Sequence, residues 1–254
     1  MWTNSLPPEL LNTVHCMDCL EFMKGLPDGC VDMILCDLPY WTTACSWDTI
    51  IPFEPLREAY KRIIKDNWAI VLFWSQPFTT DLINSNRKWF KYELIWDKVQ
   101  WKQPMLAKIQ PMKSHENICV FWLWKLLYNP QMTKWKSYTD NRLWQSVNTD
   151  HYTNHKRQNY DNKGDRYPWS VVICNNPNIE WQHPTQKPLD LCKRLLSTYT
   201  NKQSVVLDNC AWSWTTWVAC KELGRNYILV EKEPKYCDII HKRLQNTTVS
   251  LFHS

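Results

Sequence analysis

The sequence holds 254 residues, 44% of them hydrophobic, with a formal net charge of +5; that suits one α/β domain with a small insertion, or two joined lobes, around a sizeable core. No apolar run approaches the roughly 18 residues of a membrane span, and the first residues lack a basic stretch followed by an apolar one. The expectation is a cytoplasmic protein whose eleven cysteines are thiols rather than a disulfide framework, with a mild basic bias compatible with nucleic acid.

In chain order, Val31–Asp37 reads as a buried strand ending in an acidic residue. Pro52–Lys65 carries Phe53, Leu56, Tyr60, Ile63 and Ile64 at helical spacing. Asp66-Asn67 marks a turn, and Ala69–Phe73 is a second strand. A short helix follows over Thr79–Asn84, then short strands over Tyr92–Trp96 and Ile118–Phe121. The stretch 99–170 is polar and without sustained periodicity. It holds eleven Lys/Arg against five Asp/Glu, so it carries the positive excess of the whole chain. A solvated insertion and a DNA-contacting lobe both fit this composition. Regularity then returns. Leu189–Tyr199 is a helix and Val205–Asp208 a strand. Thr215–Leu223 is a helix closed by Gly224, Tyr227–Glu231 a strand, and Pro234 opens a final helix. Strand–helix alternation implies a parallel sheet with right-handed crossovers.

Three segments carry chemistry. Asp37-Leu38-Pro39-Tyr40 ends a predicted strand, where open α/β sheets bind ligands. An exocyclic base amine is a poor nucleophile, because its lone pair is delocalised into the ring. Acceptors placed on its hydrogens, the Asp37 carboxylate and a carbonyl of Leu38 or Pro39, would concentrate that lone pair. Tyr40 would stack on a base flipped from the duplex. Taken alone, the four residues are also a common surface turn. The second segment, Val205 to Thr216, is a strand, a turn and a helix start, with Glu231 at the end of the next strand. An acidic residue about 20 positions downstream is how a nucleoside-binding βαβ unit holds ribose hydroxyls. The third, His183-Pro184-Thr185-Gln186-Lys187-Pro188, says little as chemistry; Thr185 could simply cap the following helix. Cys16 and Cys19 form a C-x-x-C pair, but no second pair has zinc-like spacing, so no metal site is expected.

Together the three segments resemble the DNA amino-methyltransferases of permuted order, in which a D-P-P-Y box precedes the target-recognition region and the cofactor box follows it. D-L-P-Y matches with Leu38 for the first proline. His183 to Pro188 matches H-P-T-Q-K-P throughout, and Val206 to Glu231 is similar to the family's cofactor box. His15 to Leu20 and Ser114-His115-Glu116-Asn117 also look like family segments. The resemblance implies an α/β, Rossmann-like methyltransferase sandwich using S-adenosylmethionine on double-stranded DNA. It implies a catalytic half over 1–98, a target-recognition region over 99–180 and a cofactor half over 181–254. Asp37, Leu38, Pro39 and Tyr40 would be catalytic. Asp18, Thr185, Lys187, Asp208, Ala211, Trp212, Ser213, Trp214, Thr215 and Glu231 would hold the cofactor. Within the family, Asp in the first box position tends to accompany adenine N6 and Ser cytosine N4, so Asp37 points to adenine. A restriction endonuclease partner and an orphan role are both compatible with the sequence.

Only 4 glycines occur, against 17 tryptophans; about 18 glycines would be ordinary for this length. Trp41, Trp68, Trp74, Trp212, Trp214 and Trp217 stand where the family has glycine. An indole at Trp212 or Trp214 should either fill the space of the cofactor's methionine moiety or strain a turn that wants positive φ. Two readings follow: a DNA-binding protein with a filled pocket and no catalysis, or codons TGA, read as Trp in one variant code and as Gly in another. Recurrence at six glycine positions among matching neighbours favours the second.

Overall fold

A computed structural model describes residues 6–39, 50–102, 106–140, 160–175, 186–212 and 215–250. The chain forms two units, 1–129 with 170–254, and 130–169.

The larger unit is built on an eight-stranded sheet. Its strands are β1 (Thr13–Cys16), β2 (Met33–Asp37), β3 (Ile70–Trp74), β4 (Phe90–Lys102) and β5 (Lys113–Phe121), and, numbered after four short strands of the smaller unit, β10 (Val171–Ile173), β11 (Val205–Asp208) and β12 (Asn226–Glu231). The helices are α1 (Cys19–Lys24), α2 (Phe53–Ile63), α3 (Phe78–Ser85), α4 (Leu189–Tyr199), α5 (Thr215–Leu223) and α6 (Pro234–Ser250). The spatial order is β1-β12-β11-β2-β3-β5-β4-β10. All neighbours are parallel except β5, which runs antiparallel to both β3 and β4.

The sequence explains the layering. In β2 and β3 every residue is buried, as continuous apolar runs require when both faces of a parallel sheet are covered. Alternate residues face opposite sides. Ile34, Cys36, Ile70, Leu72 and Leu207 pack under α1, α2 and α3, on Phe22, Met23, Leu56, Tyr60, Ile63 and Leu82. Met33, Leu35, Val71, Phe73 and Val206 face the other way, onto Leu191, Leu195 and Leu196 of α4, Trp217 and Cys220 of α5 and Ile240 of α6. Helix α1 starts where the Asp18 carboxylate accepts the N–H groups of Leu20 at 2.9 Å and Glu21 at 3.2 Å, an N-cap. Helix α5 ends at Gly224, whose φ of +68° is the left-handed conformation that favours glycine.

The central pair is tied at its amino end by Asp32, which is buried and accepts the Val205 N–H at 2.7 Å and the Lys65 ammonium at 2.6 Å. Asp32→Ala is expected to lower the free energy of unfolding by about 1.5–3 kcal/mol, the range for hydrogen bonds to a charged group. Urea unfolding of both proteins measures it, and a loss below about 0.5 kcal/mol, the size of an ordinary surface change, would show that β2 and β11 hold without this tie.

Three features differ from the sequence reading. β4 and β5 extend well past the predicted strands, and β10 was not foreseen. Of the expected recognition region over 99–180, residues 106–129 and 170–175 lie in the larger unit and 130–169 form the smaller one. The thiol expectation also meets an exception. Cys16, at the end of β1, and Cys237, in α6, form a disulfide with Cα atoms 5.9 Å apart, because α6 follows β12 and packs back onto β1. No group of His, Cys, Asp and Glu able to hold a metal occurs among the described residues, and none of their helices is long and apolar enough to cross a membrane.

The smaller unit contains two two-stranded pieces: β6 (Thr133–Lys134) with β9 (Asp165–Arg166), and β7 (Tyr138–Asp140) with β8 (Tyr160–Asn162). Gly164 turns the chain at φ +96°, where a Cβ would collide with the Trp135 carbonyl. Trp135, Tyr138, Tyr167 and Trp169 are exposed, and the Arg166 guanidinium lies 4.8 Å over the Tyr138 ring.

Candidate active site

The sheet order reverses between β2 and β11: β2 leads through α2 to β3 on one side, and β11 leads through α5 to β12 on the other. That crevice at the carboxyl ends of the strands is where a doubly wound sheet binds ligands. Asp37 ends β2 and Asp208 ends β11.

A cavity of about 190 Å³ opens beside it. Its walls include Met17 and Asp18 after β1, Pro39 after β2, Ile51 and Pro52 before α2, Asn209 and Trp212 after β11, Glu231 at the end of β12 and Tyr236 beyond it. Asn209 is held by the Tyr60 hydroxyl, which donates to its Oδ1 at 2.6 Å. Burial pushes the Glu231 carboxyl up to about 7, and one of its oxygens accepts the Glu233 N–H at 2.8 Å. Carboxylates at strand ends beside apolar Met17, Ile51, Pro52 and Tyr236 suit a ribose and a flat base, so the lining fits the nucleoside part of a ligand.

Asp37 is buried at 5% exposure, and burial pushes its carboxyl up to about 7 against the pull of Lys187. Its Oδ2 accepts the Lys187 ammonium at 2.7 Å. Its Oδ1 is buried with no hydrogen-bond partner among the described residues. An unpaired buried acceptor is costly and therefore rare, and one at a ligand crevice marks a place where a donor is missing. Raised carboxyls gathered at one pole are a further mark of a functional site.

The structure sorts the expected residues into three groups. Asp18, Trp212 and Glu231 line the cavity, and so does Pro39. Asp208, Ala211, Thr215 and Lys187 do not. Asp208, pushed up by burial to about 6, accepts the Cys210 N–H at 3.2 Å and so shapes the turn. The Ala211 N–H donates to Val230 O, and the Thr215 hydroxyl donates to Lys187 O at 3.1 Å. Lys187, expected with the cofactor, donates to Asp37. Leu38 is buried at 1% exposure. Tyr40, Thr185, Ser213 and Trp214 lie outside the described residues, as does Trp41.

Trp212 is 8% exposed and is one of the residues that line the cavity. Besides glycines, only Asn12, Val99 and Gln203 have positive φ among the described residues, so Trp68, Trp74, Trp212 and Trp217 strain no backbone.

Several site residues carried no local signal. Tyr60 meets Asn209 from 149 positions away. Glu116 lies in the Ser114 to Asn117 segment, yet its role needs Lys187 and Lys98, both in other elements.

The family model for DNA methylase, of the N6/N4 methyltransferases, matches residues 31–242. Among curated proteins, the type II methyltransferase M.HinfI of Haemophilus influenzae is 26% identical over 269 residues, spanning 93% of this chain and 69% of that one. Among solved structures, the M1.HpyAVI–SAM complex aligns with a TM-score of 0.60 at 22% identity, covering 91% of this chain and 98% of that chain. The PvuII DNA methyltransferase, cytosine-N4-specific, aligns with a TM-score of 0.62 at 13% identity, covering 92% and 85%. The expected fold class, a Rossmann-like α/β sandwich, is the one shared with these structures.

Proposed function

The chain belongs to the N6/N4 family of DNA methylases, and on that premise we propose that it transfers a methyl group from S-adenosylmethionine to the N6 amine of adenine in double-stranded DNA. The observation that carries this reading is the Asp37 carboxylate, with one oxygen held by Lys187 and the other without a partner among the described residues, beside a cavity lined for a nucleoside. When bound, the cofactor supplies an electrophilic methyl group on a sulfonium. Asp18, Asn209, Glu231 and Tyr236 are the residues that would hold its nucleoside part.

The chemistry left to the chain is to make an aromatic amine nucleophilic. Asp37 Oδ1 accepts one amine hydrogen and draws the lone pair out of the ring. No strong base is needed, because the proton leaves only after the nitrogen has become cationic. Tyr40 is proposed to stack on the flipped base. Burial excludes water from Asp37, which strengthens its hydrogen bond to the amine. Asp37 at the first box position supports adenine; the cytosine-N4 specificity of the PvuII enzyme favours cytosine N4 as the second reading. The basic and aromatic surface of the 130–169 unit suits a DNA backbone and unstacked bases.

Transfer of labelled methyl from S-adenosylmethionine to unmethylated duplex DNA, followed by digestion to nucleosides, tests this. Label on N6-methyladenine is expected. Label on N4-methylcytosine transfers the mechanism to the other base, and label on neither refutes methyl transfer.

A further inference from the structure

Four charged side chains from four separate segments form one chain of contacts at the carboxyl pole. Asp37 ends β2, Lys187 precedes α4, Glu116 lies in β5 and Lys98 in β4. Lys187 Nζ is 2.7 Å from Asp37 Oδ2 and 3.2 Å from Glu116 Oε2, and Lys98 holds the other oxygen of Glu116. Lys187 is 3% exposed. Its ammonium lies 5.3 Å from the Phe73 ring, and its carbonyl is pinned by Thr215. Four alternating charges in one row are net neutral when all are ionised, and Asp37 and Lys187, the two buried members, are stabilised by their partners.

We infer that Lys187 is a positioning residue for Asp37, sharing its charge between Asp37 and Glu116 so that one Asp37 oxygen is held fast and the other is left to accept the target amine. The inference rests on the proposed methyl transfer. The charges facing Asp37 are Lys187, Glu116 and, from β11, Asp208; Lys98 acts through Glu116. Burial pushes Glu116 up, but Lys187 and Lys98 together pull it down to about 2, so Glu116 competes for Lys187 at every working pH. Asp37, held up near 7 by its burial, changes its ionisation across that range.

Opposite changes should follow from the two neighbours. In Lys187→Met the Asp37 midpoint is expected to rise by about one pH unit or more, the usual effect of a lost adjacent charge. In Glu116→Gln it is expected to fall, because a competing negative charge is gone. Lys187→Arg keeps the charge and should stay near the parent value. The experiment is a carbon-13 NMR titration of the Asp37 carboxyl in the four proteins, with the pH profile of kcat and the affinity for S-adenosylmethionine measured beside it. The rising limb of kcat should move with the carboxyl, lowering the Lys187→Met rate at pH 7 by roughly fivefold or more, while cofactor affinity stays within about twofold. An Asp37 midpoint unmoved in both Lys187→Met and Glu116→Gln overturns the inference. So does a loss of cofactor affinity in Lys187→Met at an unchanged midpoint, which would return Lys187 to the cofactor. If the parent transfers no methyl but the midpoints move oppositely, the coupling stands and the methyl-transfer reading is what fails.

Discussion

Replacing Asp37 with alanine is expected to lower methyl transfer by about three orders of magnitude, the scale for removing a group that acts only on the reacting centre, with cofactor affinity unchanged. The separation of effects follows from position. Asp37 ends β2 and faces Lys187, whereas the cavity wall is made by Asp18, Pro39, Asn209, Trp212 and Glu231. Folding should survive, because Lys187 keeps Glu116 as a partner. Asp37→Asn is the sharper variant: its amide still offers one acceptor, but as a neutral group it holds the amine less strongly. Calorimetry with S-adenosylmethionine and single-turnover transfer to duplex DNA measure the two halves separately. Transfer persisting in Asp37→Ala would sink its catalytic assignment, and joint loss of binding and transfer would make it structural.

The second large effect is expected at Trp212. The cavity measures about 190 Å³, below the roughly 300–1,000 Å³ usual for ligand pockets, and Trp212 is one of its lining residues. Trp212→Gly is expected to tighten S-adenosylmethionine binding by about ten- to a hundredfold, since overpacking a site costs about 1–3 kcal/mol. Adenosine, which lacks the methionine arm, should gain far less. Equal gains for both ligands would place the indole against the nucleoside instead. Reading the codons is the companion measurement. TGA at positions 212 and 214 would support glycine there in the cell, and TGG would leave a DNA-binding protein with a narrowed pocket as the better account of the chain.

Much of the larger unit could be read from periodicity. The predicted bounds of α4, β11 and α5 coincide with those observed, because each is a short amphipathic or fully apolar run with a clear stop. β4 and β5 were cut short for a physical reason. Their outer halves carry Lys98, Lys113 and Glu116, which read as solvated loop, yet Lys98 and Glu116 pair with each other across the hairpin. β10 escaped notice because only Val172 of its three residues is buried. Asp37 was legible as a strand-end carboxylate, but its partner was not. The motif around Lys187 is local, while the Asp37 it touches lies 150 positions away. Cys16 and Cys237 likewise become neighbours only through sheet order, 221 positions apart.

That sheet order sets the timetable of synthesis. β1 borders only β12, and β2 needs β11 on one side, so the first strands to leave the ribosome pair with the last. Between the emergence of Asp37 and that of Glu231, about 10–40 s at 5–20 residues per second, the nascent chain carries β1 without its neighbour and one bare edge of β2, apolar but for Asp37. Such edges invite pairing with other chains, so an aggregation hazard of this protein arises already during its translation.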